Sequence, residues 1–199
     1  MNGKVRRFYE ELAAMSGLRL DPEGGALYGT YKGYGVAVLA PNPSYPYQMC
    51  AVFSASRPDG PLTKEECKQF LKEHKAAADL SQNGWQITMI IRGGMGQKHL
   101  RENFVQSLED TTAYLRGAGF TDCCQSCGKV TETDPCCVAG AYEHLCPDCY
   151  AALQQSRNQE SMRQAGKGEN ITGGLVGALL GSLVGVVSII IFSQLGYVA

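Results

Sequence analysis

Hydrophobic residues recur through the first half of the chain with periods that alternate between helix and strand. Apolar side chains at three- and four-residue steps predict a helix from Val5 to about Ser16, with Asn2 as its N-cap. Two runs rich in β-forming residues then flank Lys32-Gly33, which is typical of a hairpin turn. These strands are expected over Ala26–Tyr31 and Tyr34–Leu39, with a third strand from about Tyr47 to Ala55.

The pattern then returns to helical spacing. Thr63 and Glu66 form a capping-box sequence, which predicts a helix from there to about Ala78. A buried strand is expected from Trp85 to Ile91 and a final helix from about Gln97 to Arg116. The order α-β-β-β-α-β-α predicts a soluble α+β domain with an antiparallel sheet over residues 1–120. This order is similar to that of the small α+β domains of type III secretion chaperones, which are binding modules.

The end of the chain has a different composition. Residues 171–193 carry no charge and are numerous enough to cross a bilayer as one helix. Three cationic residues, Arg157, Arg163 and Lys167, lie just before this segment, and no Lys or Arg follows it. The positive-inside rule therefore predicts a single-pass membrane protein with cytoplasmic N-terminal domains. Residues 151–170 are expected to form a polar helical linker, and residues 194–199 a short tail.

Glycines recur at four-residue steps within the apolar segment, and these are Gly173, Gly177, Gly181 and Gly185. Such spacing keeps small residues near one face of a helix, so another helix can approach closely. The stripe resembles a glycine zipper and predicts a helix–helix interface. Its partner could be a second copy of the chain or another membrane protein.

Charge is unevenly distributed along the chain. Residues 1–120 hold 14 basic and 12 acidic side chains, whereas residues 121–150 hold one basic and five acidic ones, for a net charge of −4. A nucleic-acid interface needs cations to meet phosphates. The charge of this segment therefore argues against a nucleic-acid partner.

Seven of the nine cysteines fall between Cys123 and Cys149, and two Cys-x-x-Cys pairs stand out among them. The pairs are Cys124 with Cys127 and Cys146 with Cys149, a spacing that predicts a structural Zn²⁺ site over residues 121–150. Cys124-x-x-Cys127-Gly128 resembles the zinc knuckle of zinc ribbons and treble-clef fingers. The second pair precedes a helix-like run, which favours the treble-clef form. The segment has few large apolar groups, so a metal would replace a core.

Four further residues leave the ligand set open. In one alternative, Cys123 and Cys127 share one ligand position. In another, Cys136 or His144 serves as the fourth ligand. The adjacent pair Cys136-Cys137 could act as a redox dithiol, although adjacent cysteines seldom close a disulfide without strain.

A glycine-rich stretch before the last predicted helix of the α+β domain is a candidate anion site. It follows a predicted strand and opens a helix, where phosphates often bind. It matches neither the P-loop nor the dinucleotide-binding motif. The residues that would bind the anion are Arg92, Gly93, Gly94, Gly96 and Lys98.

These features favour a non-enzymatic, membrane-anchored adaptor that binds a protein partner and contains structural zinc. The overall plan resembles bacterial membrane-anchored proteins to which no activity is attached. A subunit of an oligomeric transport or channel assembly is the alternative. An anion- or nucleotide-binding enzyme domain that uses the Gly93–Gly96 loop is the third hypothesis.

Overall fold

Helices and antiparallel strands alternate along the part of the chain that this computed structural model describes, residues 2–94 and 96–165. The helices there are α1 (Gly3–Ser16), α2 (Lys64–Glu73), α3 (Gln97–Gly117) and α4 (Pro147–Ala165). The strands are β1 (Arg19–Asp21), β2 (Ala26–Tyr31), β3 (Tyr34–Leu39), β4 (Cys50–Ser56), β5 (Ala77–Asn83), β6 (Gln86–Ile91), β7 (Thr121–Asp122), β8 (Asp134–Val138) and β9 (Ala141–Leu145). Residues 1–153 belong to one compact unit, and the rest of α4 belongs to a second. The expected α+β class with an antiparallel sheet is confirmed.

The large sheet has the strand order β1-β2-β3-β4-β6-β5, and β7 pairs with the end of β4. A separate two-stranded sheet consists of β8 and β9. The predicted hairpin of β2 and β3 is present with its expected bounds. Lys32 and Gly33 both have positive φ, at 48° and 89°, which is the geometry of the two-residue turn that suits the twist of paired strands.

Helix starts follow the side-chain signals in the sequence. The Asn2 side chain accepts a hydrogen bond from the Val5 N–H at 2.9 Å and caps α1. Thr63 and Glu66 form a complete capping box at the start of α2. Both predictions are confirmed.

The predicted end of α2 is wrong. The helix ends at Glu73, and Ala77, expected within the helix, begins strand β5. β5 pairs with β6 through a two-residue turn, in which Gly84 has a φ of 57° and Trp85 is 40% exposed. Alanines and lysines favour a helix locally, but pairing with β6 outweighs that preference. Trp85 therefore lies in a turn, not in a buried strand.

The sheet has an inner face packed against α1, α2 and α3 and an outer face on the opposite side. Val36 and Val38 of β3 and Phe53 of β4 lie on the inner face, within the main hydrophobic core. Residues alternate between faces along a strand, so Gly35, Ala37 and Ser54 lie on the outer face. Small side chains thus line the middle of that face.

No helix within residues 2–94 and 96–165 combines the length and apolar character needed to span a membrane. The predicted membrane segment 171–193, its glycines Gly173, Gly177, Gly181 and Gly185, and the tail 194–199 all lie outside the described residues. Of the predicted linker 151–170, the first part belongs to α4, which ends at Ala165.

Candidate metal centre

The first Cys-x-x-Cys pair lies in a tight loop after β7. The Gly128 N–H donates to the Cys124 carbonyl oxygen at 2.8 Å, and the Cys124 N–H donates to the Lys129 carbonyl oxygen at 3.0 Å. Gly128 has a φ of 73°, which side-chain-bearing residues rarely adopt. The glycine after the second cysteine thus turns the chain so that both sulfur atoms point to the same side.

The second pair lies at the start of α4. Cys146 immediately precedes this helix, and its carbonyl oxygen accepts a hydrogen bond from the Tyr150 N–H at 2.9 Å. Pro147 occupies the first helical position, where its missing N–H costs nothing. The first turn of the helix therefore holds Cys149 close to Cys146.

The four sulfur atoms of Cys124, Cys127, Cys146 and Cys149 all lie within 4.8 Å of one another. The Cys127 and Cys146 sulfur atoms are 3.9 Å apart. Zinc–sulfur bonds of about 2.3 Å in a tetrahedron place neighbouring sulfur atoms about 3.8 Å apart. The cluster therefore fits a tetrahedral metal ion such as zinc. Cys124 and Cys146 are buried, Cys149 is half-buried and Cys127 is exposed.

Backbone N–H groups donate to the innermost sulfur. The Cys146 N–H lies 3.3 Å from the Cys124 sulfur. Burial alone would raise the pKa of the Cys124 thiol, but donors from Cys146, Cys127 and Ser126 lower it to about 7. This environment favours a thiolate, which is the form that binds metal.

Crowding of the sulfur atoms acts in the opposite direction on Cys149. The Ser126 side chain lowers the pKa of the Cys149 thiol, but hydrogen bonds with the Cys127, Cys146 and Cys124 sulfurs raise it to about 12. Four thiolates repel one another at this separation, and a bound cation removes that repulsion. The arrangement therefore suits a cation better than four free thiols.

Between the cysteine pairs, β8 and β9 form a hairpin with two distinct faces. One face carries Cys136, Val138 and Leu145, which pack with Cys124 and Cys146 in a small hydrophobic cluster. Tyr142 and His144 lie on the opposite face because strand residues alternate. One face of the hairpin thus packs toward the sulfur cluster, and the other is free to pack elsewhere.

The second hairpin face packs on the outer face of the large sheet. The Tyr142 ring stacks on the Tyr28 ring with centroids 4.0 Å apart and planes 6° apart. The Tyr142 hydroxyl donates to the Asp21 carboxylate at 3.2 Å. The His144 ring lies against Gly35 so closely that a Cβ added at Gly35 would be 2.5 Å from it. Gly35 is therefore required for this contact.

The first Cys-x-x-Cys loop also contacts the sheet. The Gln125 side-chain oxygen accepts hydrogen bonds from the Ser54 hydroxyl and the His144 N–H, both at 3.1 Å. A carboxylate oxygen of Asp122 accepts the Gly35 N–H at 2.7 Å. The Trp85 indole occupies the space next to Gly128 where a side chain would otherwise lie. This first Cys-x-x-Cys loop, residues 124–128, is called the metal loop below. Polar and apolar contacts thus join the metal loop to the sheet.

The remaining candidate ligands stay outside the sulfur cluster. Cys123 is buried beside Ser56, and burial raises the pKa of its thiol to about 11. Cys136 is half-buried against the cluster, and Cys137 is exposed. His144 is 1% exposed, and within the described residues neither ring nitrogen has a hydrogen-bond partner. Burial lowers the pKa of His144, although the nearby Val36 backbone and the Asp122 charge oppose that effect.

The two cationic side chains of the candidate anion loop, those of Arg92 and Lys98, lie near other groups of the protein. The Arg92 guanidinium donates to the carbonyl oxygens of Lys75 at 2.7 Å and Ala77 at 3.0 Å. Lys98 is exposed, with Glu102 at 4.0 Å. Gly94 lies against His99, Gly93 has open space where a side chain would be, and Gly96 precedes α3. Anion binding at this loop remains a prediction.

Several residues that shape the centre carry no recognisable signal in the sequence. Gln125, Gly35 and Trp85 each contact a partner far away in the chain, and Ser126 is an ordinary loop residue. The glycine after the second cysteine is the exception, because that position is typical of zinc knuckles.

Comparison of the chain with protein-family models, with curated proteins and with solved structures found no match.

Proposed function

We propose that this protein is a non-enzymatic, membrane-anchored adaptor whose four cysteines hold a structural zinc ion. The observation that supports the proposal most strongly is the convergence of four sulfur atoms within 4.8 Å, from the loop after β7 and the start of α4. The uncharged sequence of residues 171–193 would supply the anchor.

A structural role for the metal follows from the ligand set. Four thiolates complete a tetrahedral shell and leave no position for a catalytic water. Hydrogen bonds and buried apolar contacts surround Cys124 and Cys146, as expected for a centre that holds chain segments together. The metal would therefore stabilise a binding surface and take no part in a reaction.

A groove beside the metal loop supports a role in binding a protein partner. It has a volume of about 390 Å³ and is lined in part by Pro58, Pro61 and Trp85. Trp85 is 40% exposed and also contacts Gly128 of the metal loop. Exposed aromatic side chains in concave surfaces are frequent anchors of protein interfaces.

Photocrosslinking in cells tests this proposal. A photoreactive phenylalanine analogue replaces Trp85 in the full chain, and the exposed Lys98 position serves as the control site. We expect a discrete crosslinked species from position 85 that is absent from position 98. The species should disappear with Cys127→Ser, which removes a ligand, and persist with Cys137→Ser, which alters an exposed cysteine outside the cluster. Absence of a specific crosslink at position 85 would argue against the adaptor role.

A further inference from the structure

The hairpin β8–β9 is held from both sides. On one side Cys136, Val138 and Leu145 pack toward the sulfur cluster. On the other side Tyr142 and His144 pack on the outer face of the large sheet. A change at the sulfur cluster can therefore reach the sheet through this hairpin, as well as through the direct contacts of Gln125 and Gly128 with the sheet.

The metal segment, residues 121–149, has a very small hydrophobic core of its own. Its own hydrophobic cluster has three buried members, Cys124, Leu145 and Cys146, with a few half-buried neighbours. A module of this size needs a metal or another staple to stay folded. In such modules the free energy of metal binding is free energy of folding.

The outer face of the sheet is covered where the segment packs on it. Ser54 is 1% exposed and Gly35 is buried, although neither has a large side chain to shield its surroundings. The Gly35 N–H donates to the Asp122 carboxylate at 2.7 Å. Undocking of residues 121–149 would leave this N–H and the Ser54 hydroxyl open to solvent.

We propose that the metal centre is a latch on the sheet: metal binding and docking of residues 121–149 on the outer face are one coupled equilibrium. Metal loss undocks the segment and uncovers the surface around Gly35, Ser54 and Tyr28. The metal supply then decides whether this face of the sheet is covered. The inference rests on the proposed metal site and adds its regulation.

Coupling must be reciprocal. If metal binding favours docking, then a substitution that hinders docking must weaken metal binding to the same degree, even when all four cysteines are intact. Gly35→Ala is such a substitution, because the new Cβ would be 2.5 Å from the His144 ring. Gly117→Ala is the matched control, since a Cβ there has nothing within 4 Å and the residue has ordinary helical geometry.

The experiment measures zinc affinity of the reduced full chain by competition with a chromogenic chelator. We expect Gly35→Ala to weaken zinc binding by about tenfold or more, and Gly117→Ala to leave it unchanged within about twofold. Ser54→Ala provides a milder second variant, because it removes only the hydrogen bond to Gln125. It should weaken zinc binding by a few-fold. Unchanged zinc affinity in both Gly35→Ala and Ser54→Ala would contradict the proposed coupling of metal binding with docking.

Hydrogen exchange of the wild-type chain with zinc and with EDTA separates the two proposals. The latch predicts that the Gly35 amide exchanges at least about tenfold faster after zinc removal, while amides of α3 change little. Trp85, the sole tryptophan of the chain, should become more accessible to acrylamide as its contact with Gly128 is lost. Zinc binding without these changes contradicts the latch alone. Failure to bind zinc contradicts the proposed metal site as well.

Discussion

At the scale of single residues, Glu66 combines two functions at the start of α2. Its carboxylate accepts the Thr63 N–H at 2.8 Å and completes the capping box. The same carboxylate accepts two hydrogen bonds from the Arg57 guanidinium, at 2.7 and 2.8 Å. The capping box could be predicted from the sequence, but Arg57 could not, because nothing local connects it to the helix.

We expect Glu66→Gln to lower the free energy of unfolding by about 1–2 kcal/mol, because a glutamine can cap the helix but leaves Arg57 without a charged partner. Chemical denaturation at neutral pH measures this loss. Glu65→Gln is the control, since Glu65 is exposed, and it should change stability little. Equal stability of the two variants would show that the Arg57 pair contributes nothing.

The Arg57–Glu66 ion pair predicts that the free energy of unfolding depends on pH. Hydrogen bonds from Arg57 lower the pKa of Glu66 from 4.5 to about 2 in the folded chain. A lowered carboxyl pKa stabilises the fold above the unfolded value, and this contribution is lost as the pH falls. The difference between wild type and Glu66→Gln should therefore shrink between pH 4.5 and 2. A difference that stays constant across this range would contradict the assignment.

At the scale of elements, local turn chemistry decided which strands could be predicted. Lys32-Gly33 indicates the β2–β3 turn clearly, and both residues adopt positive φ. Gly84-Trp85 is a weaker signal, and the alanine-rich segment before β5 favours a helix. The β5–β6 pairing that overrides this preference depends on side chains buried in the common core, such as Leu80 and Ile87.

The β8–β9 turn also tests whether residues suited to positive φ stabilise a hairpin. Ala139 has a φ of 50° and precedes Gly140, which has a φ of 85°. Asparagine tolerates this left-handed geometry better than alanine, so Ala139→Asn should stabilise the hairpin by about 0.5–1 kcal/mol. Ala139→Val should destabilise it, because a β-branched residue resists positive φ. Thermal unfolding of the zinc-loaded chain measures both changes, and a lower melting temperature for the Asn variant would refute the turn assignment.

At the scale of the whole molecule, the cysteine spacing favoured the four sulfur atoms that do come together, although Cys123, Cys136 and His144 had left the ligand set open. It was not sufficient to predict that the intervening hairpin packs on the large sheet. That packing depends on pairs far apart in the chain, such as Tyr28 with Tyr142 and Gly35 with His144. Such pairs have no periodic or compositional signature, and they place the centre inside the compact unit of residues 1–153.

X-ray absorption at the zinc edge, on the full chain purified under reducing conditions, tests the central claim most directly. We predict one zinc per chain, bound by four sulfur atoms at about 2.3 Å with no nitrogen or oxygen ligand. This result distinguishes the proposed ligand set from the alternative with His144. A shell of three sulfur atoms and one nitrogen would mean that the buried His144 replaces one of the four cysteines. Such a mixed shell, or a chain without bound metal, would contradict the account.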